Sequence, residues 1–338
     1  MTTYIVSQND EFVKTIPIVR QLHAIFEVIP DRELIAKLTA WTGRPGYTIK
    51  ILWRTYVAMA VLNLPSFASL IRTLQNNPYV AIACGVTSPE GIPSKFAYSR
   101  FIRKLSTFKH TAMVKKVMGG LTRSLYDALP DFGKSVAIDS TDLKAWANGS
   151  KKPLADPDAA LAAKIDTAGK KKFYFGYKLH LLADTQYELP MAANVETASI
   201  HDVRVASRVL GQARRIYSKF HPDYVICDAG YSSKKLRDLI KRQYRAEPII
   251  KVNAAHKKAK ALLPETEEWK AIYNRRSSIE RIFSRLKGHR RLNNITVRRI
   301  RKVTVHCFIS LIVVQAQALR SAISNQTSSI RQCVHAIA

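Results

Sequence analysis

Two short apolar runs, each ending in an acid, restrict this chain to a small set of folds. They are Ser135 to Asp139 (SVAID) and Asp223 to Gly230 (DYVICDAG). An apolar run of this length between polar residues reads as a strand covered on both faces. Such strands need helices around them, and the sequence supplies these. His201 to Tyr217 carries Val203, Ala206, Leu210, Ala213 and Tyr217 at helical spacing, and Lys234 to Lys241 reads as a shorter helix. Phe173 to Asp184 and Leu189 to Val195 read as hairpin partners, and Pro248 to Val252 as a fifth strand. Trp269 to Lys287 reads as one closing helix. The order β-β-β-α-β-α-β-α predicts a mixed α/β sheet with helices packed on it. Lys151 to Lys172, with its Pro, Asp, Ala and the lysines 170 to 172, reads as an exposed loop that interrupts this order.

Upstream, residues 1–130 have a helical period. Ile49, Leu52, Trp53, Tyr56, Val57, Ala60 and Val61 recur at i, i+3, i+4, i+7 and i+8. Ser66 and Ser94 are candidate N-caps for two further helices, one stopping at Asn76-Asn77-Pro78 and one reading KFAYSRFIRKL. The second buries Phe101, Ile102 and Leu105 and leaves Arg100, Arg103 and Lys104 outside, the pattern of a helix-turn-helix-like unit that offers cations to DNA.

The charge points the same way. Lys and Arg outnumber Asp and Glu by 54 to 25, a net charge of +29 over 338 residues, so a polyanionic partner leads the possibilities. Four scattered cysteines with no Cys-x-x-Cys pair argue against a structural zinc site or a disulfide framework and fit a reducing compartment. The N-terminus lacks the apolar core of a secretory signal. Val303 to Val314 is shorter than the ~20 residues that span a bilayer and reads as a buried helix. The expected location is therefore cytoplasmic and nucleoid-associated, with no membrane partner.

Within Tyr273 to Lys287, about 100° per residue puts Tyr273, Arg276, Glu280 and Lys287 on one polar stripe beside the apolar Ile272, Ile279, Ile282, Phe283 and Leu286. Glu280 thus borders a core, flanked by cations and a phenol. Asp139 and Asp228 stand at strand carboxyl ends, where ligands gather in open α/β sheets. Three carboxylates brought together repel one another unless a cation neutralises them. Hard divalent ions take such oxygen ligands, and two of them on acids suit phosphodiester chemistry. Asp142 and the pair His201-Asp202 read as turn, helix-start or capping residues, with a metal-assisting or supporting role as the alternative.

AIDST around Asp139, CDAGYSS around Asp228 and Tyr273-x2-Arg276-x3-Glu280-x6-Lys287 resemble the motifs of DDE transposases from bacterial insertion sequences, the last matching their Tyr-Arg-Glu-Lys signature at every spacing. The resemblance covers residues 131 to about 315. It implies an RNase H-like catalytic domain over residues 131–320, preceded by a helical DNA-binding region over 1–130 and followed by a tail over 321–338. It further implies Asp139, Asp228 and Glu280 as catalytic acids holding two Mg²⁺ (or Mn²⁺) ions. Tyr273, Arg276 and Lys287 are implied at the DNA, with cleavage at the element ends and strand transfer into target DNA as the reaction. The partners implied are the element's terminal inverted repeats, the target duplex and a second copy of the chain. A catalytically inactive, domesticated DNA-binding descendant is the alternative. The short interval between Asp228 and Glu280 leaves little room for the large β insertion that some relatives carry there. The cations Arg281, Arg285, Arg290 and Arg291, continued by Arg298, Arg299, Arg301 and Lys302, read as backbone-phosphate contacts, because they lack acidic partners one helical turn away.

Overall fold

The computed structural model describes residues 11–39, 46–150, 154–165, 170–252, 266–326 and 330–331. The chain divides into two compact units. One comprises residues 1–121, 286–296 and 301–338, and the other residues 122–285 and 297–300.

The first unit is helical in its described residues. Thr48, Ser66, Asn77 and Ser94 each accept a backbone N–H as N-caps, opening the helices Ile49–Val61, Phe67–Asn76, Pro78–Ala83 and Lys95–Leu105. These caps satisfy donors that the first helical turn leaves unpaired. Ser66 and Ser69 cap each other reciprocally. Trp53 and Tyr98 are fully buried with their polar ends paired, Trp53 Nε1 to Asp31 Oδ2 at 2.6 Å and Tyr98 Oη to Thr55 Oγ1 at 2.9 Å. The helix Ile300–Ile323 is mostly apolar and largely buried, with the polar His306, Ser310, Gln315 and Gln317 among its buried side chains. Among the described residues it alone is long and apolar enough to cross a membrane, and 94% of its most apolar window is buried inside the protein.

The second unit is built on a six-stranded mixed sheet: β1 Ser135–Lys144, β2 Ala160–Ile165, β3 Lys171–Asp184, β4 Leu189–Thr197, β5 Tyr224–Cys227 and β6 Glu247–Ile250. β1 pairs antiparallel with β3 and parallel with β5, which pairs parallel with β6; β3 also pairs antiparallel with β2 and β4. This is the RNase H-like mixed sheet flanked by helices. The first four residues of β1 and all but the first residue of β5 and of β6 are buried, as strands under helices on both faces should be. The helix Asp202–Ile216 turns Val205, Ala206, Val209, Leu210 and Ala213 inward. Gly176 of β3 is obligatory, since a Cβ there would lie 2.0 Å from the carbonyl oxygen of Leu143.

Two expectations are corrected. The segment Lys151 to Lys172 is not simply a loop, because it contains β2, paired with the first half of β3 (Ala162 opposite Tyr174, Lys164 opposite Lys172). Its alanines and lysines have little strand preference of their own, so the ladder to β3 decides. Residues 151–153 and 166–169 of that segment lie outside the described residues, as do Cys333 and most of the tail. The closing helix is also two helices, Glu267–Asn274 and Ser277–His289. Between them the backbone tightens to i→i+3 bonds (Arg275 N to Ile272 O, Ser278 N to Arg275 O), and the Ser277 hydroxyl takes the carbonyl of Asn274. Short polar side chains that bond the backbone locally compete with the helix in this way.

Candidate active site

The register of β1 on β5 builds the site. Ile138 lies opposite Cys227 in a parallel pair, so the next residues, Asp139 and Asp228, come side by side where β5 ends; β1 itself runs on to Lys144, so Asp139 lies within its strand and not, as expected, at its carboxyl end. Burial along β1 relaxes from buried at Ile138 to half-buried at Asp139 and Ser140. The Asp139 carboxylate is 17% exposed and accepts Ser140 N–H at 2.7 Å. Burial, with the charges of Asp228 and Glu280, raises its pKa to about 6, although the Ser140 N–H and Arg276 pull it down. Asp228 caps the tight turn Ala229–Tyr231, its Oδ1 accepting Gly230 N–H at 2.9 Å, and burial raises its pKa as well. A Cβ on residue 230 would stand 3.1 Å from that oxygen, a tight contact.

Arg276 joins the third acid to the first. Its Nη1 lies 3.1 Å from Asp139 Oδ2, and its Nη2 donates to Glu280 Oε1 one turn along the chain. Glu280 is more open, with 56% of its side chain exposed. Tyr273, at the end of the preceding helix, is half-buried, stacks on Trp269 with centroids 5.0 Å apart, and has its pKa raised by burial. The four-residue stripe is thus not one helical face. The break places Arg276 in a turn, free to reach across to β1.

The other predicted cations divide by their surroundings. Arg281 and Arg285 are ion-paired to Glu188, at 2.7 Å and 2.8 Å. Lys287 is half-buried on the same helix, past the division between the units. Arg100 and Arg103 are exposed, while Lys104 Nζ donates to the carbonyl of Leu38 at 2.5 Å. Arg290 and Arg291 are buried, and this corrects their assignment to a phosphate-binding surface. Arg290 donates to Gln317 Oε1 and to the carbonyl of His289, both at 2.7 Å, and burial lowers the pKa of Arg291. Acidic partners one turn away proved the wrong criterion, since Glu188 and Asp158, which pairs Arg299, come from far upstream.

Asp202 is the residue that sequence reasoning undervalued. Neither it nor His201 caps its helix by side chain. Asp202 Oδ2 accepts the Ser140 hydroxyl at 3.1 Å and Oδ1 accepts Lys178 Nζ at 2.8 Å, so it grips the residue next to Asp139. Asp142 is neither turn nor cap. It sits within β1 and pairs Lys164 at 3.2 Å. Tyr231 is fully buried with its hydroxyl unpartnered, and its pKa is raised by burial and by Asp139, Asp202 and Asp228. The only sequence signal for Tyr231 was its place in CDAGYSS.

The donor set, carboxylate oxygens with Asp228 and Glu280 near enough to raise the pKa of Asp139, is of the kind a hard divalent cation takes. Among the described residues, no three Asp, Glu, His or Cys side chains are close enough to hold one ion together. The Arg276 guanidinium is ion-paired to both Asp139 and Glu280.

The family described as Transposase DDE domain matches residues 131–315, and that described as Transposase domain (DUF772) matches residues 10–104. A solved structure of a piggyBac transposase synaptic complex with hairpin DNA is similar at 11% identity, over 96% of this chain and 81% of that one, with a TM-score of 0.50. No curated protein matches.

Proposed function

The chain belongs to the transposase DDE-domain family and is a DNA transposase, and we propose that it cuts DNA at the ends of an insertion sequence and joins the freed strand to target DNA. The observation that carries this reading is the parallel register Ile138–Cys227, which sets Asp139 beside Asp228 where β5 ends, with Arg276 tying Glu280 to Asp139. Enzymes of this family use divalent metal ions. Here Asp139, Asp228 and Glu280 would hold two, Mg²⁺ or Mn²⁺, which when bound activate an attacking oxygen and stabilise a leaving one.

In the first reaction a water oxygen bonds to phosphorus, the bond to the 3′-oxygen breaks, and that oxygen leaves as a 3′-hydroxyl. In the second, this hydroxyl attacks a target phosphate, and the target's own 3′-oxygen departs. Both are in-line displacements, so one set of side chains serves both. Arg276 can turn its fork from the carboxylates to a phosphate, a geometry suited to bidentate binding. Tyr273 and Lys287 would contact the same DNA. Residues 1–130 would supply duplex binding, with Arg100 and Arg103 as exposed phosphate contacts and Lys104 beside them. Two element ends must be processed together, so we propose a homodimer on DNA, cytoplasmic and nucleoid-associated. The catalytic region would extend over residues 131–320, followed by the tail 321–338.

The test uses the full chain with duplexes carrying its own terminal inverted repeats. Asp139→Asn, Asp228→Asn and Glu280→Gln should each abolish metal-dependent nicking and strand transfer while DNA binding persists. Substantial cleavage by any one of them would remove that acid from the mechanism.

A further inference from the structure

The turn between β3 and β4 holds a carboxylate that the chemistry above does not use. Glu188 sits in the left-handed backbone region, at φ 55°. That conformation is uncommon for a residue with a Cβ and persists only where the surroundings enforce it. Its side chain is 6% exposed, and a carboxylate so buried needs partners. Two arginines provide them. Arg281 Nε lies 2.8 Å from Oε1 and Arg285 Nη2 lies 2.8 Å from Oε2, and Arg285 also donates to the Glu188 carbonyl at 3.1 Å.

Arg281 and Arg285 are four residues apart on the helix Ser277–His289, hence on one face of it. A helix gripped at two points one turn apart can neither roll nor slide without breaking a pair. Glu280 immediately precedes Arg281 on that helix. The gripping turn is itself fixed, since Asp184 at the end of β3 accepts Tyr187 N–H at 2.6 Å and Gly133 N–H at 2.9 Å. β3 in turn is laddered to β1, with Leu181 opposite Asp139. A continuous connection therefore runs from the strand of Asp139, through Glu188, to the helix of Glu280.

We infer that Glu188 is a positioning residue for Glu280, setting the rotation and height of its helix against the sheet, an inference that rests on Glu280 being a metal-binding carboxylate. Arg281 and Arg285 then serve the site through Glu188 rather than through DNA phosphates.

The experiment takes the full chain with Mn²⁺ as probe, read by calorimetric binding and by cleavage of an inverted-repeat duplex. Glu188→Gln keeps the shape and removes the charge. Its Mn²⁺ affinity should fall about tenfold, with a parallel rise in the Mn²⁺ needed for half-maximal cleavage and unchanged DNA affinity. Should that variant not fold, Arg281→Gln leaves Arg285 on Glu188 and should show the same two shifts, roughly threefold, half the effect on a logarithmic scale. A folded variant with wild-type Mn²⁺ affinity and metal dependence overturns the inference, whatever its melting temperature. Loss of DNA affinity at unchanged Mn²⁺ affinity overturns it too, and makes the arginines phosphate contacts. Failure of the underlying reading has a different mark, in which Glu280→Gln itself binds Mn²⁺ as the wild type does.

Discussion

Arg276 Nη1 rests 3.1 Å from Asp139 Oδ2, though the two residues belong to opposite ends of the catalytic sequence. One side chain in a break between helices thereby holds the first acid and also bonds the third. A lysine cannot repeat this, because an ammonium is a point charge without the planar fork. Arg276→Lys should reduce strand cleavage about 10²-fold, the loss expected when a reacting group is displaced by roughly an ångström. Single-turnover cleavage measures it. A rate within twofold of wild type would show that the bridge is incidental.

The raised pKa of Asp139, about 6, makes a prediction for the metal-free chain. Its folded pKa lies above the unfolded value near 3.8, so the folded state binds the proton more tightly. Stability from this group is therefore present at low pH and lost as pH rises between about 4 and 6. The loss amounts to about 3 kcal/mol at most, taking 1.36 kcal/mol per pH unit. Asp139→Asn should remove that slope, so the difference in unfolding free energy between wild type and variant should change across pH 4–6. A constant difference over that range would contradict the burial argument. If the proposed site holds divalent ions on its ionised acids, such ions should raise the melting temperature more at pH 7.5 than at pH 5.5.

Asp202 holds Ser140 and Lys178, and its charge contributes to the raised pKa of Asp228. Asp202→Asn keeps the size and removes the charge. The pKa of Asp228 should fall, moving the acid limb of the pH–rate profile to lower pH, while the maximal rate drops about tenfold as Ser140 loosens. A stability defect alone would lower the rate without moving that limb.

Arg103 and Arg290 carry the same charge in opposite settings. Arg103 is exposed, and Arg290 is 5% exposed and bonded to Gln317. Arg103→Ala should flatten the dependence of log K on log salt for DNA binding by about 0.9, the share of one phosphate contact. Its unfolding free energy should not change. Arg290→Ala should lose about 2 kcal/mol of stability on denaturant unfolding, the worth of hydrogen bonds to a charged group, and leave the salt slope alone. The reverse pattern would return Arg290 to the DNA surface.

Much of the site was legible in the sequence because its signals are local. Apolar runs ending in Asp139 and Asp228 announced buried strands, and N-cap residues such as Ser66 and Ser94 marked helix starts that the structure reproduces. The charge of +29 limited the partner without fixing any contact.

Tertiary structure decided what depends on pairing between distant segments. The ladder to β3 made a strand of Ala160–Ile165, although its composition argued for a loop. A hydroxyl taking a carbonyl ended the helix before Ser277 and freed Arg276 to cross to β1. Burial turned Arg290 and Arg291 from a surface into a core, and Glu188 claimed Arg281 and Arg285 from nearly a hundred residues upstream. The sequence by itself determined which acids and cations the chain possesses and which strands deliver two of them. Which cations face the acids, which face solvent and which are consumed inside was settled by packing. Partners in an ion pair are chosen by distance in space, and helical periodicity carries that information for only a turn or two.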